Sequence, residues 1–346
     1  MLLVAGSAVL ESNPTRGRGS KTRRLSLRPM NVVPTASVVP ANHIGFAAGG
    51  RFDLGDSIAY NQWRNDKLCH LVRDLDAVTV HVADLAKPTS AELVALQHTL
   101  CQHNLVRYRS GQAEVERSVL RRFAAKLGLL RADEHLCADE DGISELADAG
   151  EGGQGDYIPY TNKALNWHCD GYYNAPEDRI HAMLLHCVRP ATEGGWNAFL
   201  DHEWVYIALR DQNPAWIDAL MQEDAFTIPE NVQDGVCLRP DRSGPVFSVD
   251  PQTGVLHMRY TARRRNIVWR DDPVTRAARE ALERILEDPA SPILRGRQAP
   301  GEGIVCSNVL HNRTSFKDGS EGPGRLVLRA RFLDHPHCPE SSPCYG

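Results

Sequence analysis

The sequence predicts an α+β protein with a mainly β core of jelly-roll or barrel type, covered by helices near its start and in an insertion. Three observations lead there. Apolar, β-branched runs of strand length recur from 76–85 through 325–334. Helical periodicity is confined to 89–127, 202–221 and 272–286. No internal repeat is visible, and 346 residues suffice to bury a sizeable core.

Residues 1–42 stand apart. They carry Arg16, Arg18, Lys21, Arg23, Arg24 and Arg28 against Glu11, with frequent Ser and Gly and no apolar period. They predict a disordered basic extension, a start at Met30 and a basic targeting arm being the other readings. A single domain is expected over 43–346. DAVTVHVADL (76–85) reads as a strand. Thr89 and Glu92 resemble a capping box opening a helix whose buried face is Leu93, Leu96 and Leu100. NLVRYRS follows as a strand. Val115, Val119, Leu120, Phe123 and Leu127 mark a second helix, stopped by Gly128. Residues 138–156 are acidic and Gly-rich, which predicts a mobile loop, either a lid or simply solvated. IHAMLLHCV (180–188) is an apolar strand, and EGGWNAFLD turns into another. Residues 202–221 predict one helix anchored by Trp204, Ile207, Ala208, Trp216 and Leu220. Asp272 and Pro273 open a further helix. GIVCSNVLH and RLVLRARFLD close the domain as strands. The tail DHPHCPESSPC is expected to be disordered, with zinc binding through His335, His337, Cys338 and Cys344 as the alternative.

Composition excludes some classes. A net charge of −5 shows no basic excess suited to nucleic acid, and no apolar run is long enough to span a bilayer. MLLVAGSAVL lacks the charged start of a secretory signal. The 9 Cys are odd in number and hold no C-x-x-C, which predicts reduced thiols and a cytoplasmic protein.

WHCDGY (167–172) carries the chemistry. With 14 His and 44 acidic residues, about two H-x-[DE] matches would arise by chance, so the motif alone is weak. In an extended segment, however, His168 and Asp170 share one face while Cys169 points away. Trp167, Tyr172 and Tyr173 are expected to wall the site. The best third ligand is His311, at the end of GIVCSNVLH. Two His and one carboxylate form the facial triad of non-haem Fe(II) oxygenases. A chelating 2-oxo acid would then need a cation for its far carboxylate, and Arg325, Arg329 and Arg331 lie on one face of the following strand.

HCD (168–170), EGGWN (193–197), PGEGIVCSNVLHNR (300–313) and RLVLR (325–329), taken in order, resemble the taurine dioxygenase/TfdA-like family of Fe(II)/2-oxoglutarate-dependent dioxygenases. Gamma-butyrobetaine hydroxylase and clavaminate synthase are relatives. QAEVERSVLRRFAAKLGLL is similar to the family's early helix, and the likeness covers about residues 80–333. It implies a double-stranded β-helix, with residues 202–300 as a helical or lid insertion. It implies His168, Asp170 and His311 as iron ligands, and Arg325 with Asn197 on 2-oxoglutarate. Asn197 stands where the family often has Thr. Arg329 falls where a relative binds an anionic substrate group, and Arg331 is second choice for either arginine role. O2 is the other co-substrate. The reaction implied is hydroxylation of an unactivated C–H with release of succinate and CO2. Asp170 favours it, because family members that halogenate have a small residue there.

MRYTARRRNIVWR (258–270) holds five Arg, of which Arg259 and Arg263 are the best candidates for the substrate entrance. Tyr160, Asn162 and Tyr172 are further candidate substrate contacts. A small-molecule substrate is expected, anionic or amino-acid-like, with no nucleic-acid or membrane partner. Homo-oligomerisation stays open. Competing outcomes are desaturation or cyclisation at the same site, a zinc hydrolase, and a metal- or 2-oxoglutarate-binding protein without turnover.

Overall fold

A computed structural model describes residues 49–133, 139, 141–150, 155, 157–233, 235–263, 267–320 and 322–338. The expectation for residues 1–42 lies outside them. The architecture is α+β and mainly sheet. Ten strands form the two sheets that matter for the site: β1 (Thr79–His81), β2 (Leu105–Arg109), β3 (Ile143–Leu146), β4 (Leu165–His168), β5 (Ala182–Arg189), β6 (Asn197–Leu200), β7 (Leu294–Gly296), β8 (Glu302–Cys306), β9 (Leu310–Arg313) and β10 (Leu326–Phe332). The larger sheet runs β1-β2-β8-β5-β10-β3, and the smaller runs β7-β6-β9-β4. All pairings are antiparallel except β1 with β2.

The two sheets share one apolar core. Met183, Leu185 and Cys187 of β5, Ile304 and Cys306 of β8 and Val327 of β10 meet Phe199 of β6 and Leu294 of β7. The alternate residues of the larger sheet face helices. Leu184, Val305, Leu328 and Ala330 pack on Leu96 and Leu100 of α2 (Ser90–His103) and on Leu120 and Phe123 of α3 (Arg117–Lys126). β5 is therefore covered on both faces, which is why its sequence is apolar without alternation. Gly303 lets β8 approach its neighbours, since a Cβ there would collide with the Tyr108 ring and the Leu185 carbonyl. Thr89 and Glu92 form a complete capping box at the start of α2.

Residues 202–300 hold three helices, α4 (His202–Gln212), α5 (Pro214–Leu220) and α6 (Pro273–Glu287), together with short antiparallel strands between 226 and 269. Their core includes Val205, Ile217, Phe226, Phe247, Leu282 and Ile285, and it is continuous with Ala198, Leu200 and Leu310 of the smaller sheet. A further helix, Ser57–Cys69, precedes α2.

Several expectations change. The strand predicted over 76–85 shrinks to β1, because Asp74 accepts the Asp76 N–H and caps a 3₁₀ turn at Leu75–Val78. The single helix at 202–221 is two, broken where Pro214 lacks an N–H and Asn213 caps the next helix by accepting from Ala215. Part of the acidic loop is β3, which pairs with β10 at the sheet edge. The tail residues 334–338 are held in the fold, Cys344 lying outside the described residues: the His337 N–H donates to the Leu127 carbonyl, and Cys338 forms a disulfide with Cys101 of α2, Cα atoms 5.8 Å apart. Those two thiols are therefore not reduced. No helix among the described residues is long and apolar enough to cross a membrane.

Candidate metal centre

Strand register builds the centre. β4 and β9 are antiparallel neighbours, and His168 lies opposite His311. Their rings sit 4.2 Å apart between centroids. Asp170 follows just beyond β4, where Gly171 turns the chain at φ +68°; a Cβ there would strike Ile180. His168 Nε2 and His311 Nε2 lie 3.4 and 4.0 Å from Asp170 Oδ1. Each imidazole uses its other nitrogen on a backbone carbonyl, His168 Nδ1 on Asn166 O at 2.8 Å and His311 Nδ1 on Val309 O at 2.9 Å. An Nδ1–H that donates there leaves Nε2 as a bare lone pair aimed at the carboxylate. All three side chains are buried.

Charge agrees with geometry. Burial opposes the Asp170 charge, but Arg329 above all, then the neighbouring His168 and His311 rings, hold its carboxyl well below the ordinary range. Burial and then His168 push His311 down to about 4. One carboxylate and two imidazoles therefore converge, one donor atom from each lying within 4.8 Å of the others. That donor set fits a divalent transition metal.

Arginines surround it. Arg329 Nη1 lies 3.5 Å from Asp170 Oδ2, and Nη2 donates to the Tyr160 hydroxyl at 3.4 Å. Arg331 donates to the Tyr173 hydroxyl and pairs with Asp133. Arg325 donates from Nη1 to the Leu146 carbonyl at 3.0 Å, and its guanidinium stacks over Phe316. Arg313, two residues past His311, donates to the carbonyls of Pro159, Thr161 and Lys163. Burial, then Arg325 and Arg329, push its pKa down to about 9. Among the described residues neither Arg313 nor Arg325 forms a salt bridge. Arg313, Arg325 and Arg329 thus act on one another as a buried cluster in which Arg329 alone pairs with a carboxylate, Asp148 and Asp318 acting on Arg313 and Arg325 without a salt bridge. Asn197 is also buried, with Oδ1 unpartnered among the described residues and Nδ2 on the Asn312 carbonyl.

The other candidates separate. Tyr160 faces the centre through Arg329. Tyr172 is half-buried and hydrogen-bonds Thr261. Arg263 is exposed and acts electrostatically on Tyr172. Asn162 is exposed and offers only its carbonyl, to the Phe316 N–H. Arg259 is a clamp: its guanidinium donates to the carbonyls of Tyr172, Phe226, Gly244 and Arg242.

The chain was also compared with known proteins. The family model described as "Taurine catabolism dioxygenase TauD, TfdA family" matches residues 69–331. The chain belongs to the TauD/TfdA family. It is 28% identical over 182 residues to a uridine-5'-phosphate dioxygenase of Amycolatopsis sp., a stretch that is 51% of this chain and 63% of that protein. It is 23% identical over 183 residues to a trimethyllysine dioxygenase of Meyerozyma guilliermondii, 50% of this chain and 44% of the relative. The match thus spans less than two thirds of either relative. Among solved structures, an asparagine oxygenase in complex with Fe(II), 2S,3S-3-hydroxyasparagine and succinate aligns with TM-score 0.50 at 14% identity, covering 74% of this chain and 93% of that one. The non-heme iron oxygenase OrfP, in complex with Fe, succinate and (3R,4R)-dihydroxy-L-Arg, aligns with TM-score 0.52 at 16% identity, covering 72% and 82%. These likenesses establish a shared fold.

Two residues of this TauD/TfdA chain carry a role that a reading of its motifs does not assign, Asn308 standing inside one motif and Thr261 outside them all. Asn308, at φ +48°, accepts the Asp170 N–H through Oδ1 at 2.8 Å. Its Nδ2 donates to the Asp170 and Ile180 carbonyls, so it holds the turn that presents the carboxylate. Asn at a positive φ is the one local signal, since Asn tolerates that region. Thr261 bridges to His168 from the 202–300 segment, and nothing in the sequence near it announces that contact.

Proposed function

We propose that this chain is an Fe(II)- and 2-oxoglutarate-dependent dioxygenase that hydroxylates an unactivated C–H of a small anionic or amino-acid-like metabolite, releasing succinate and CO2, on a double-stranded β-helix (jelly-roll) core. The observation that carries this is the buried cluster of Arg313, Arg325 and Arg329 beside the His168–Asp170–His311 triad. A buried cation without an acid calls for an anionic ligand. Bound to these residues, Fe(II) would supply the redox chemistry that couples O2 to 2-oxoglutarate decarboxylation and C–H oxidation.

The protein's own groups have distinct tasks. His168, Asp170 and His311 would hold the ion. Arg325, with Asn197 beside it, takes the distal carboxylate of 2-oxoglutarate. Arg329 steadies Asp170 and turns its remaining capacity, with Tyr160, toward an anionic group of the substrate. Tyr172 and Arg263 form the outer edge of the substrate entrance. Residues 202–300 act as the insertion that covers the site. We read the protein as cytoplasmic, a reading that the Cys101–Cys338 bridge opposes, because such bridges are rare in reducing compartments.

Purified chain with Fe(II), ascorbate, O2 and 2-oxoglutarate should form succinate, and a metabolite library should contain a compound that accelerates it. Asp170→Ala should lower that rate at least 100-fold. Retained turnover in this variant would remove Asp170 from the site.

A further inference from the structure

A second set of donor atoms converges outside the triad, where segments far apart in sequence meet. His181 lies just before β5. Asp250 and His257 belong to the hairpin of Phe247–Val249 with Leu256–Met258. His335 follows β10. Asp250 Oδ2 and His335 Nε2 are 3.3 Å apart. The rings of His181 and His335 have centroids 3.9 Å apart, and the His257 ring is 5.4 Å from His181. One donor atom from each of His181, Asp250 and His335 lies within 4.8 Å of the other two.

The local chemistry suits a cation. Asp250 uses Oδ1 to accept the N–H groups of Gln252 and Thr253, which closes its turn and leaves Oδ2 for His335. Burial, then His335, push His181 down to about 4. His335 is lowered by burial against the pull of Asp250, and His257 well lowered by burial and then His181. The rings are therefore neutral near pH 7 and offer lone pairs. Two or three neutral imidazoles with one carboxylate form a zinc-type donor set. Two ligands at zinc distance from a tetrahedral ion stand about 3.3 Å apart, which matches the Asp250–His335 separation. Nearby, His202 acts electrostatically on both His257 and His335, and its buried Nδ1 has no hydrogen-bond partner among the described residues.

We propose that His181, Asp250 and His335 bind one zinc-class divalent cation, which ties the C-terminal segment to the 247–258 hairpin and to the start of β5. The site shares no ligand with the His168–Asp170–His311 centre. The segment 333–338 is then fixed at one end by the cation and at the other by the Cys101–Cys338 disulfide. Cys338, being in that bridge, is not a ligand.

The test uses the full chain carrying Asp170→Ala and His311→Gln, so that the triad no longer binds metal. Equilibrium dialysis against zinc chloride should give one bound equivalent, with a rise in Tm. Adding His181→Gln or Asp250→Asn should abolish both. No bound zinc in the triad-deficient chain would overturn the proposal, as would one equivalent that survives both added substitutions. If the triad-deficient chain does not fold, the otherwise unmodified protein serves. Zinc should saturate at two equivalents and fall to one with His181→Gln, and an unchanged stoichiometry overturns the proposal.

Discussion

Arg331 donates to the Tyr173 hydroxyl and to the Asp133 carboxylate, Arg329 is matched by Asp170, and Arg313 is spread over three carbonyls. Arg325 is different. Among the described residues its guanidinium donates to one carbonyl, Leu146 O, and lies over the face of Phe316. A planar guanidinium with donors to spare is the group that can take a carboxylate in two parallel bonds. A charge-assisted hydrogen bond contributes roughly 1.5–3 kcal/mol. Arg325→Ala should therefore raise KM for 2-oxoglutarate about 10- to 100-fold. Arg331→Ala should act mainly on stability, because it leaves Asp133 without its cation. Initial-rate measurements over a 2-oxoglutarate series decide this, and equal KM effects would mean the co-substrate lies on another cation.

Strands and turns carry these side chains, and they were unevenly legible. His168 and Asp170 could be paired by the two-residue period, but β4 ends at His168, and Asp170 reaches the centre through a turn that Asn308 holds. His311 was readable as the last polar residue of an apolar strand; its register opposite His168 was not, because register is a long-range property. β3 was hidden by composition. In ISEL only Glu145 is exposed, and the flanking acids and glycines dominate any window that contains it. Pro214 is a local helix breaker, but the apolar spacing of 202–221 runs straight across it. The Cys101–Cys338 bridge joins residues 237 apart, and nothing local pairs them. A bridge closing so long a loop should stabilise the fold by about 2–4 kcal/mol. Cys338→Ser should lose that amount in urea unfolding, and dithiothreitol should lower Tm of the parent but not of the variant. A parent Tm indifferent to reductant would show that the bridge does not form in solution.

At the scale of the whole molecule, the two sheets and their helical covers enclose several imidazoles. His311 and His181 are both pushed down to about 4, and His186, His257 and His335 are lowered as well, burial being the first cause in each. In the unfolded chain these rings take up protons near 6.5, their ordinary value. Between about pH 6.5 and 4 the unfolded state therefore binds protons that the folded state refuses, so stability falls as pH falls. Each refused proton contributes a slope of about 1.4 kcal/mol per pH unit. His311 and His186 should count nearly in full, and the half-buried His181, His257 and His335 less, because solvent screens them. Depressed carboxylates such as Asp170 and Glu203, the latter held near 2 by Lys67 against the opposing effect of burial, act only further down in pH. The metal-free protein should thus lose stability from pH 6.5 toward 4.5 more steeply than a single proton explains. Bound divalent metal should keep the folded state favoured at lower pH, because the ligand nitrogens must be proton-free to bind it. Urea midpoints at pH 7, 6 and 5, with and without metal, measure both effects. A midpoint that stays level from pH 7 to 5 in the metal-free protein would mean that these rings are not held neutral inside the fold.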